Sequence, residues 1–189
     1  MKNIIQKHMQ EHQQVLDSLG GLESSIEKVA MIMVACLKNG GTIFWCGNGG
    51  SSSDSQHLAA EFIGRYDRDR RPLRSLSLTA DSSVITCISN DYGFEMIFSR
   101  QIEGLGKPGD IIVAITTSGQ SKNIYNALLK ANELKIKTIG FLGRGGGRAR
   151  TLCDEHITVN SNNTARIQEM HILIGHILCD AVENGLNLQ

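Results

Sequence analysis

The sequence predicts an α/β protein: a single doubly wound, five-stranded parallel sheet with helices on both faces and extra helices at the amino terminus. Short apolar runs alternate with longer stretches of helical periodicity, which is the order that a parallel sheet requires. Residues 111–115, IIVAI, are continuously apolar, as expected for a central strand buried on both faces. Loops rich in glycine or hydroxyl groups follow two of the strands and open helices.

The length and composition fit one globular domain. The chain has 189 residues, of which 41% are hydrophobic and 20% charged, within the usual range for such a domain. We expect a single domain over residues 1–189, with N-terminal helices in 1–40 and the α/β core, including a C-terminal helix, in 41–189.

Charge and cysteine content exclude several classes of protein. Basic and acidic residues both number 19, so no positive excess favours nucleic-acid binding. The five cysteines are widely spaced and lack a C-x-x-C pair, which predicts reduced core thiols. The start of the chain has no signal-peptide apolar region, and no apolar run approaches about 18 residues. We therefore expect a cytoplasmic protein without a membrane or nucleic-acid partner.

Periodicity and capping residues place the elements in order. Residues 1–19 form a loose amphipathic helix with little of its own domain to cover, so we expect part of its apolar face to pack against another subunit. A second helix over 23–38 stops at Asn39-Gly40-Gly41. Further helices are predicted from Ser51, from Ala80 to about Ser89, and over 94–105, 121–135 and 164–184. Strands are predicted at 42–46, 75–79, 111–115, 138–142 and 156–159.

Residues 42–65, TIFWCGNGGSSSDSQHLAAEFIGR, read as strand, glycine loop and helix. The glycines from Gly47 to Gly50 allow a tight turn and close approach of a ligand, and the helix N-terminus behind them favours an anion such as phosphate. The alternative is a simple turn. The loop matches neither G-x-x-x-x-G-K-[ST] nor G-x-G-x-x-G, so no nucleotide motif is supported.

His57 and Glu61 lie four residues apart on this helix. The spacing puts the imidazole and the carboxylate on one helical face, within reach of a shared metal ion or substrate. The alternative is an exposed pair on a solvated face.

The last predicted helix is apolar nearly all round, so it should be buried, and the presence of polar residues inside it requires an explanation. Gln168 and His176 are eight residues apart, about 80° beyond two full turns, and can point into one cavity. The alternative is that each is a buried polar side chain whose hydrogen bonds are made within the core. Joined to the earlier histidine and glutamate, they suit a borderline divalent ion such as zinc. Glu169 and His171 fall off this face.

A second loop rich in hydroxyl groups, residues 116–121, follows the most apolar strand. Thr117, Ser118 and Ser121 stand at a helix N-terminus on the carboxyl edge of the sheet, where α/β proteins bind ligands, and we expect them to hold a phosphate. The alternative is a helix cap. The basic, glycine-rich stretch 143–148 is interpreted as a flexible loop before a short helix, with a direct contact to a ligand as the alternative. The charged segment 66–74 is interpreted as a solvated surface loop.

Several motifs together resemble the bacterial phosphoheptose isomerases of the sugar isomerase (SIS) superfamily. They are C-G-N-G-G-S at 46–51, Q-H-x-A-A-E at 56–61, N-D-Y-G-F at 90–94, T-S-G-x-S at 117–121 and A-R-I-Q-E-M-H at 165–171, with His176 beyond. The resemblance spans nearly the whole chain and implies a flavodoxin-like SIS fold. Two features depart from the family pattern: Thr116 stands where a serine is expected, and 143–150 is unusually basic and rich in glycine.

The resemblance implies a homotetramer that converts D-sedoheptulose 7-phosphate to D-glycero-D-manno-heptose 7-phosphate through an enediol, for lipopolysaccharide heptose. It implies substrate contacts at Asn48, Gly49, Gly50, Glu61, Asn90, Asp91, Thr116, Thr117, Ser118, Ser121 and Gln168. It implies one zinc ion per subunit on His57, Glu61, Gln168 and His176. We interpret Glu61 as the base and His176 as the acid.

Two alternatives come from the same superfamily. One relative of this fold is a non-enzymatic partner of the bacterial replication initiator and lacks the acidic residue of the H-x-x-x-E pair and the late histidine, whereas this chain has both Glu61 and His176. A phosphosugar-sensing module would carry an additional DNA-binding or catalytic domain, for which we expect no room.

Overall fold

A parallel sheet of five strands forms the centre of the computed structural model, which describes residues 1–187. The strands are β1 Ile43–Gly47, β2 Ser75–Ser77, β3 Ile111–Thr116, β4 Lys137–Gly143 and β5 Glu155–Val159. Their order across the sheet is β2-β1-β3-β4-β5, and every neighbouring pair is parallel.

Seven α-helices connect and cover the strands within residues 1–187. They are α1 Lys2–Asp17, α2 Glu23–Lys38, α3 Gly50–Ile63, α4 Ser82–Tyr92, α5 Ser99–Leu105, α6 Lys122–Glu133 and α7 Thr164–Gly185. Short 3-10 segments lie at Ser18–Leu22, Phe94–Met96 and Arg144–Leu152.

Alternate strand residues feed two separate cores, one on each face of the sheet. In β1, Ile43 and Trp45 join the core that α2, α3 and α7 cover, whereas Phe44 and Cys46 join the core that α4, α5 and α6 cover. Residues of β3 alternate in the same way. A strand buried on both faces has no polar side, which explains the continuous apolar runs. The predicted doubly wound α/β class is confirmed.

The strand order reverses direction between β1 and β3. Chain connections run from β1 outward to β2 and then back across to β3, β4 and β5. In sheets of this order, ligands bind outside the carboxyl ends of the strands at the reversal point. The loops after β1 and β3 are those that contain the predicted binding residues.

Helix α1 packs on the domain along one side only. Val15 and Leu16 contact the core beneath α2 and α7, whereas Ile4, Ile5 and Met9 are 61%, 58% and 68% exposed. The single chain therefore leaves an apolar face of α1 uncovered, as the sequence predicts.

Several boundaries differ from the predictions. Helix α4 continues to Tyr92 and ends at Gly93, whose φ of 93° takes the chain out of the helix. The side chains of Asn90 and Asp91 bond to each other at 2.7 Å and leave the helical backbone intact. The predicted helix 94–105 is divided into a 3-10 turn and α5, and β2 has only three residues.

Two predictions about individual side chains are wrong. The segment 66–74 is a surface loop, but the Arg70 side chain is only 1% exposed because it pairs with the equally buried Glu183 carboxylate, and a buried carboxylate requires a partner. All five cysteines are free thiols, yet Cys87 is exposed on α4 rather than part of the core.

Within residues 1–187, no helix has both the length and the apolar character needed to cross a membrane.

Candidate active site

The loops after β1 and β3 meet at the carboxyl edge of the sheet. Asn48, directly after β1, and Asn123, in the first turn of α6, exchange two side-chain hydrogen bonds of 2.9 and 2.8 Å. Each amide donates one bond and accepts the other, so the two loops are fixed relative to each other. A cavity of about 270 Å³ opens beside this pair and is lined also by Phe94, Glu95 and Ser121.

The glycines of the first loop are required for close packing and for backbone conformation. Gly49 has a φ of 57°, in the left-handed region that favours glycine. A Cβ at Gly47 would collide with the backbone of Ser51, and a Cβ at Gly50 would collide with the side-chain amide of Gln168. The start of α3 is therefore packed directly on α7, and the N–H groups of Ser51 and Ser52 donate back to the carbonyls of Asn48 and Gly49, which closes the turn.

Three predicted site residues converge where α3 and α7 lie side by side. The Nε2 atoms of His57 and His176 are 2.9 Å apart, and His57 Nε2 lies 3.3 Å from a carboxylate oxygen of Glu61. One ligand atom from each residue can be chosen so that all three lie within 4.8 Å of one another. The side chain of His57 is 51% exposed and that of Glu61 23% exposed, so the cluster is open to a ligand.

This cluster fits a small divalent ion. Two imidazole nitrogens and one carboxylate oxygen form a borderline donor set that suits zinc. In a tetrahedral zinc site, bonds of about 2.05 Å separate neighbouring ligand atoms by about 3.4 Å. The two distances of 2.9 and 3.3 Å in the cluster lie close to that separation.

The structure does not place Gln168 in this cluster. Helices α3 and α7 run parallel, with the side chain of Gln168 beside Gly50, Gly175 beside Leu58, and His176 beside His57. Since Gly50 precedes His57 by seven residues, Gln168 lies about 10 Å up the helix axis from the histidine pair. Within one chain, Gln168 instead faces the first loop.

Two hydroxyls of the second loop accept bonds from backbone N–H groups of the same loop, and a third belongs to the residue that precedes α6. The Thr116 hydroxyl accepts a bond from the Gly119 N–H at 3.1 Å, so the threonine performs the structural role that the expected serine would have. Ser118 accepts from the Gln120 N–H at 3.2 Å. Ser121 is the N-cap residue of α6, and no capping bond from its side chain occurs within the described chain.

Asn90 and Asp91 lie apart from these groups. They contact each other on the exposed end of α4 and line neither the cavity of about 270 Å³ nor a second cavity of about 190 Å³ beside Gly47 and Asn48. The same N-D-Y-G-F segment reaches the edge through Phe94, which lines both cavities.

Three residues of the candidate site were missed by sequence reasoning. Tyr66 stacks on His176, with ring centroids 5.6 Å apart and an angle of 28° between the planes. Asp54 lies on α3 one turn before His57, and burial raises the pKa of its carboxyl while His57 opposes that shift. Asn123 joins the two loops. Of the three, only Asn123 could have been predicted from the sequence, since it follows the predicted phosphate loop at the start of a helix.

Comparison with known proteins agrees with this architecture. The family model described as SIS domain matches residues 7–143. The chain is 49% identical to phosphoheptose isomerase 1 of Campylobacter jejuni over 185 residues, covering 98% of this chain and 100% of that protein. A solved phosphoheptose isomerase from Neisseria gonorrhoeae superposes with a TM-score of 0.92 at 38% identity, covering 97% of this chain and 98% of that one. One from Francisella tularensis gives 0.93 at 37% identity, with 96% and 97% covered.

These relatives are matched along almost their entire length and share the fold that carries the cluster. The resemblance seen in the motifs is therefore confirmed, and the chain belongs to the phosphoheptose isomerase family of SIS-domain proteins.

Proposed function

We propose that this protein is an aldose–ketose isomerase that converts D-sedoheptulose 7-phosphate to D-glycero-D-manno-heptose 7-phosphate in the cytoplasm, for lipopolysaccharide heptose. The observation that carries the proposal is the convergence of His57, Glu61 and His176 between α3 and α7, in a chain that also has two candidate phosphate-binding loops at the carboxyl edge of the sheet. Membership of a family whose relatives are phosphoheptose isomerases supports it. The non-catalytic alternative has no comparable support, because the acid and base candidates are both present.

The reaction requires one group to move a proton between carbons and another to move a proton between oxygens. Glu61 takes the proton from C1 of the ketose as the C1–C2 double bond of the enediol forms, and His176 donates a proton to O2. In the second half, Glu61 returns a proton to C2 and the imidazole accepts the proton of O1, giving the aldose. The 3.3 Å contact of Glu61 with His57 keeps the carboxylate at the cluster.

His57, Glu61 and His176 are the residues of one chain that would hold a zinc ion, one per subunit. When bound, the ion supplies positive charge that stabilises the developing enediolate oxygens. A tightly held carboxylate is a weaker base, so we propose that Glu61 alternates between weak ligation and proton abstraction. Gln168 completes the set implied by the family, and its place beside Gly50 means that it would reach such an ion only by moving or from a neighbouring subunit.

The phosphate is assigned to the second loop. Thr117, Ser118 and Ser121 precede the N-terminus of α6, where unpaired backbone N–H groups favour an anion. Asn48, Gly49 and Gly50 hold the sugar hydroxyls between that loop and the cluster. Asn90 and Asp91 require a shift of the α4 end to reach substrate, and they remain assigned to the substrate on the family pattern alone.

A homotetramer is proposed as the working assembly of single-domain subunits over residues 1–189. The exposed apolar side chains of α1 supply one uncovered face. An apolar groove of about 710 Å³ between α2 and α7, lined by Ile26, Met31 and Ile177, supplies another. Apolar surface of this extent typically marks an interface.

The test of the reaction is an assay of the purified protein with D-sedoheptulose 7-phosphate, following formation of the heptose 7-phosphate. We expect turnover with this ketose and loss of catalytic efficiency with unphosphorylated sedoheptulose, since the phosphate positions C1 and C2. Absence of turnover with the phosphorylated ketose, in protein supplied with zinc, would overturn the proposal.

Metal removal is the matching prediction for the cofactor. We expect about one zinc ion per subunit in protein purified without chelator, loss of activity after chelation, and recovery when the ion is added back. Elemental analysis and the isomerase assay measure both quantities on the same sample. Full activity in metal-free protein would leave the three side chains as hydrogen-bonding groups only.

A further inference from the structure

The His176 imidazole contacts two other rings. Tyr66 stacks on it at 5.6 Å with nearly parallel planes, and the His57 ring meets it at 5.1 Å and 66°. The outer torsion of a histidine is broad and close to two-fold, so the position of Nε2 is not fixed by the rotamer alone. These two contacts restrict the ring to the orientation in which its Nε2 faces His57.

The backbone that carries Tyr66 is held by a buried carboxylate on α7. One oxygen of Glu183 accepts the Tyr66 N–H at 3.0 Å, and the other accepts the N–H groups of Asp67 and Arg68 at 3.2 and 3.1 Å. Three consecutive amides that converge on one carboxylate form a strong, directional set of bonds. A loop on the surface is thereby fixed at the residue that contacts the site.

Arg70 completes this arrangement from the other side. Its Nε donates to Glu183 at 2.7 Å, and both side chains are only 1% exposed. Its two terminal nitrogens donate to the carbonyl oxygens of Glu61 and Phe62, at 2.9 and 3.0 Å. These carbonyls belong to the last turn of α3, whose oxygens lack intrahelical partners. The buried pair therefore joins the ends of both helices that supply the cluster.

We propose that Tyr66 is a positioning residue of the isomerase, which holds the His176 ring for metal binding and proton transfer, and that the Arg70–Glu183 pair is the frame that holds Tyr66 in place. The inference rests on the proposed function only through the roles of His176. Tyr66 acts through its ring face, so phenylalanine replaces it and alanine does not.

The experiment compares Tyr66→Ala with Tyr66→Phe in the full-length protein. The zinc dissociation constant is measured by competition with a chromogenic chelator, kcat and KM are measured at saturating zinc, and the melting temperature is recorded without metal. In Tyr66→Ala we expect zinc affinity to fall by about 10- to 100-fold, the usual effect of losing a group that orients a metal ligand. We expect kcat to fall with little change in KM, and Tyr66→Phe to restore both zinc affinity and kcat.

Leu129→Ala is the matched control, because Leu129 is also a partly exposed large side chain but lies on α6 over the opposite face of the sheet. It should retain the parent zinc affinity and kcat. Parent-like zinc affinity and kcat in Tyr66→Ala would overturn the inference, and so would an equal loss in Tyr66→Phe, which would assign the effect to the hydroxyl. Failure of the parent protein itself to bind zinc would instead contradict the proposed metal site.

Discussion

The partly buried Glu61 carboxylate and the His176 imidazole lie on neighbouring helices, with their functional atoms in the same cluster. We predict that Glu61→Gln and His176→Ala each lower turnover by more than about 100-fold, the usual scale for a general acid or base. Steady-state kinetics with the heptulose phosphate measure the change. Glu103→Gln, at an exposed glutamate paired with Lys130, is the control and should keep parent turnover. Either site variant with near-parent turnover would refute its assigned role.

The hydroxyls of the second loop are assigned to binding rather than to chemistry. We predict that Ser118→Ala and Ser121→Ala raise KM for the phosphorylated ketose, each weakening binding by about 1–3 kcal/mol, as for hydrogen bonds to a charged group. Zinc content should not change, because these residues lie on the second loop, away from the histidine pair. Ser24→Ala, at an exposed position of α2, serves as control. Substrate-bound coordinates with the phosphate on the arginines of 143–150 would contradict this placement.

At the level of single residues, sequence reasoning succeeded where a local pattern fixes geometry. The spacing of His57 and Glu61 places both on one helical face whatever the rest of the fold does. The angle between Gln168 and His176 was also sound, but eight residues of rise separate them by about 12 Å along the axis. Tyr66 left no signal, because its contact with His176 depends on how a loop returns to another helix.

The glycine-rich segment after β4 is an element with a definite packing partner rather than a flexible loop. Gly145, Gly146 and Gly147 all have positive φ, and the 3-10 segment presses on the loop after β3. The Ala149 N–H donates to the Gly119 carbonyl at 3.0 Å. The arginine at 148 donates to the Gln120 carbonyl. The segment therefore packs against the proposed phosphate-binding loop and holds its backbone in place.

This packing predicts a difference between two glycines of similar backbone conformation. Gly119 has a φ of 65°, and a Cβ there would collide with the Gly146 carbonyl; Gly145 has a φ of 76° and open space around it. Gly145→Ala should cost about 1–2 kcal/mol of unfolding free energy, the cost of the left-handed conformation. Gly119→Ala should cost more and also raise KM for the sugar phosphate. Urea unfolding and kinetics test this, and equal effects of the two changes would contradict it.

The elements themselves were largely predictable. Continuous apolar runs gave β1, β3 and β4 within one or two residues because burial on both faces leaves a simple pattern. The break between the 3-10 turn Phe94–Met96 and α5 could not be predicted from the sequence. The residue that turns the chain, Gly93, lies before the 3-10 turn, and the apolar residues of both pieces pack in one core, so the pattern looks like a single helix. The short helix predicted after β4 is a 3-10 segment that begins already at Arg144 and includes the glycines predicted to be flexible, because their conformation depends on contact with another loop.

For the whole molecule, the buried His171 couples stability to pH. Burial lowers the pKa of this histidine from 6.5 to about 4, against the bond of its Nε2–H to the Leu142 carbonyl, which favours the charged form. The unfolded chain therefore binds a proton over a window in which the folded protein does not. The stabilisation is complete above about pH 6.5 and is lost as the pH falls toward about 4.

We predict that the free energy of unfolding falls by up to about 1.4 kcal/mol for each pH unit across this window, beyond the contribution of other groups. Urea unfolding at pH values spanning the window measures the slope. His171→Gln, whose amide can still donate to Leu142, should show a smaller slope than the parent. Equal slopes would show that this histidine does not titrate differently on folding.

The parallel packing of α3 and α7 sets the point in synthesis at which the protein can first act. His57 and His176 touch across a sequence separation of 119 residues, and α7 is the last helix of the described chain. All five strands are made before the second histidine leaves the ribosome, and so distant a contact is slow to close. A nascent or shortened chain thus has the candidate sugar-binding loops without the proposed acid, and on the proposed mechanism isomerisation begins only when the final helix docks.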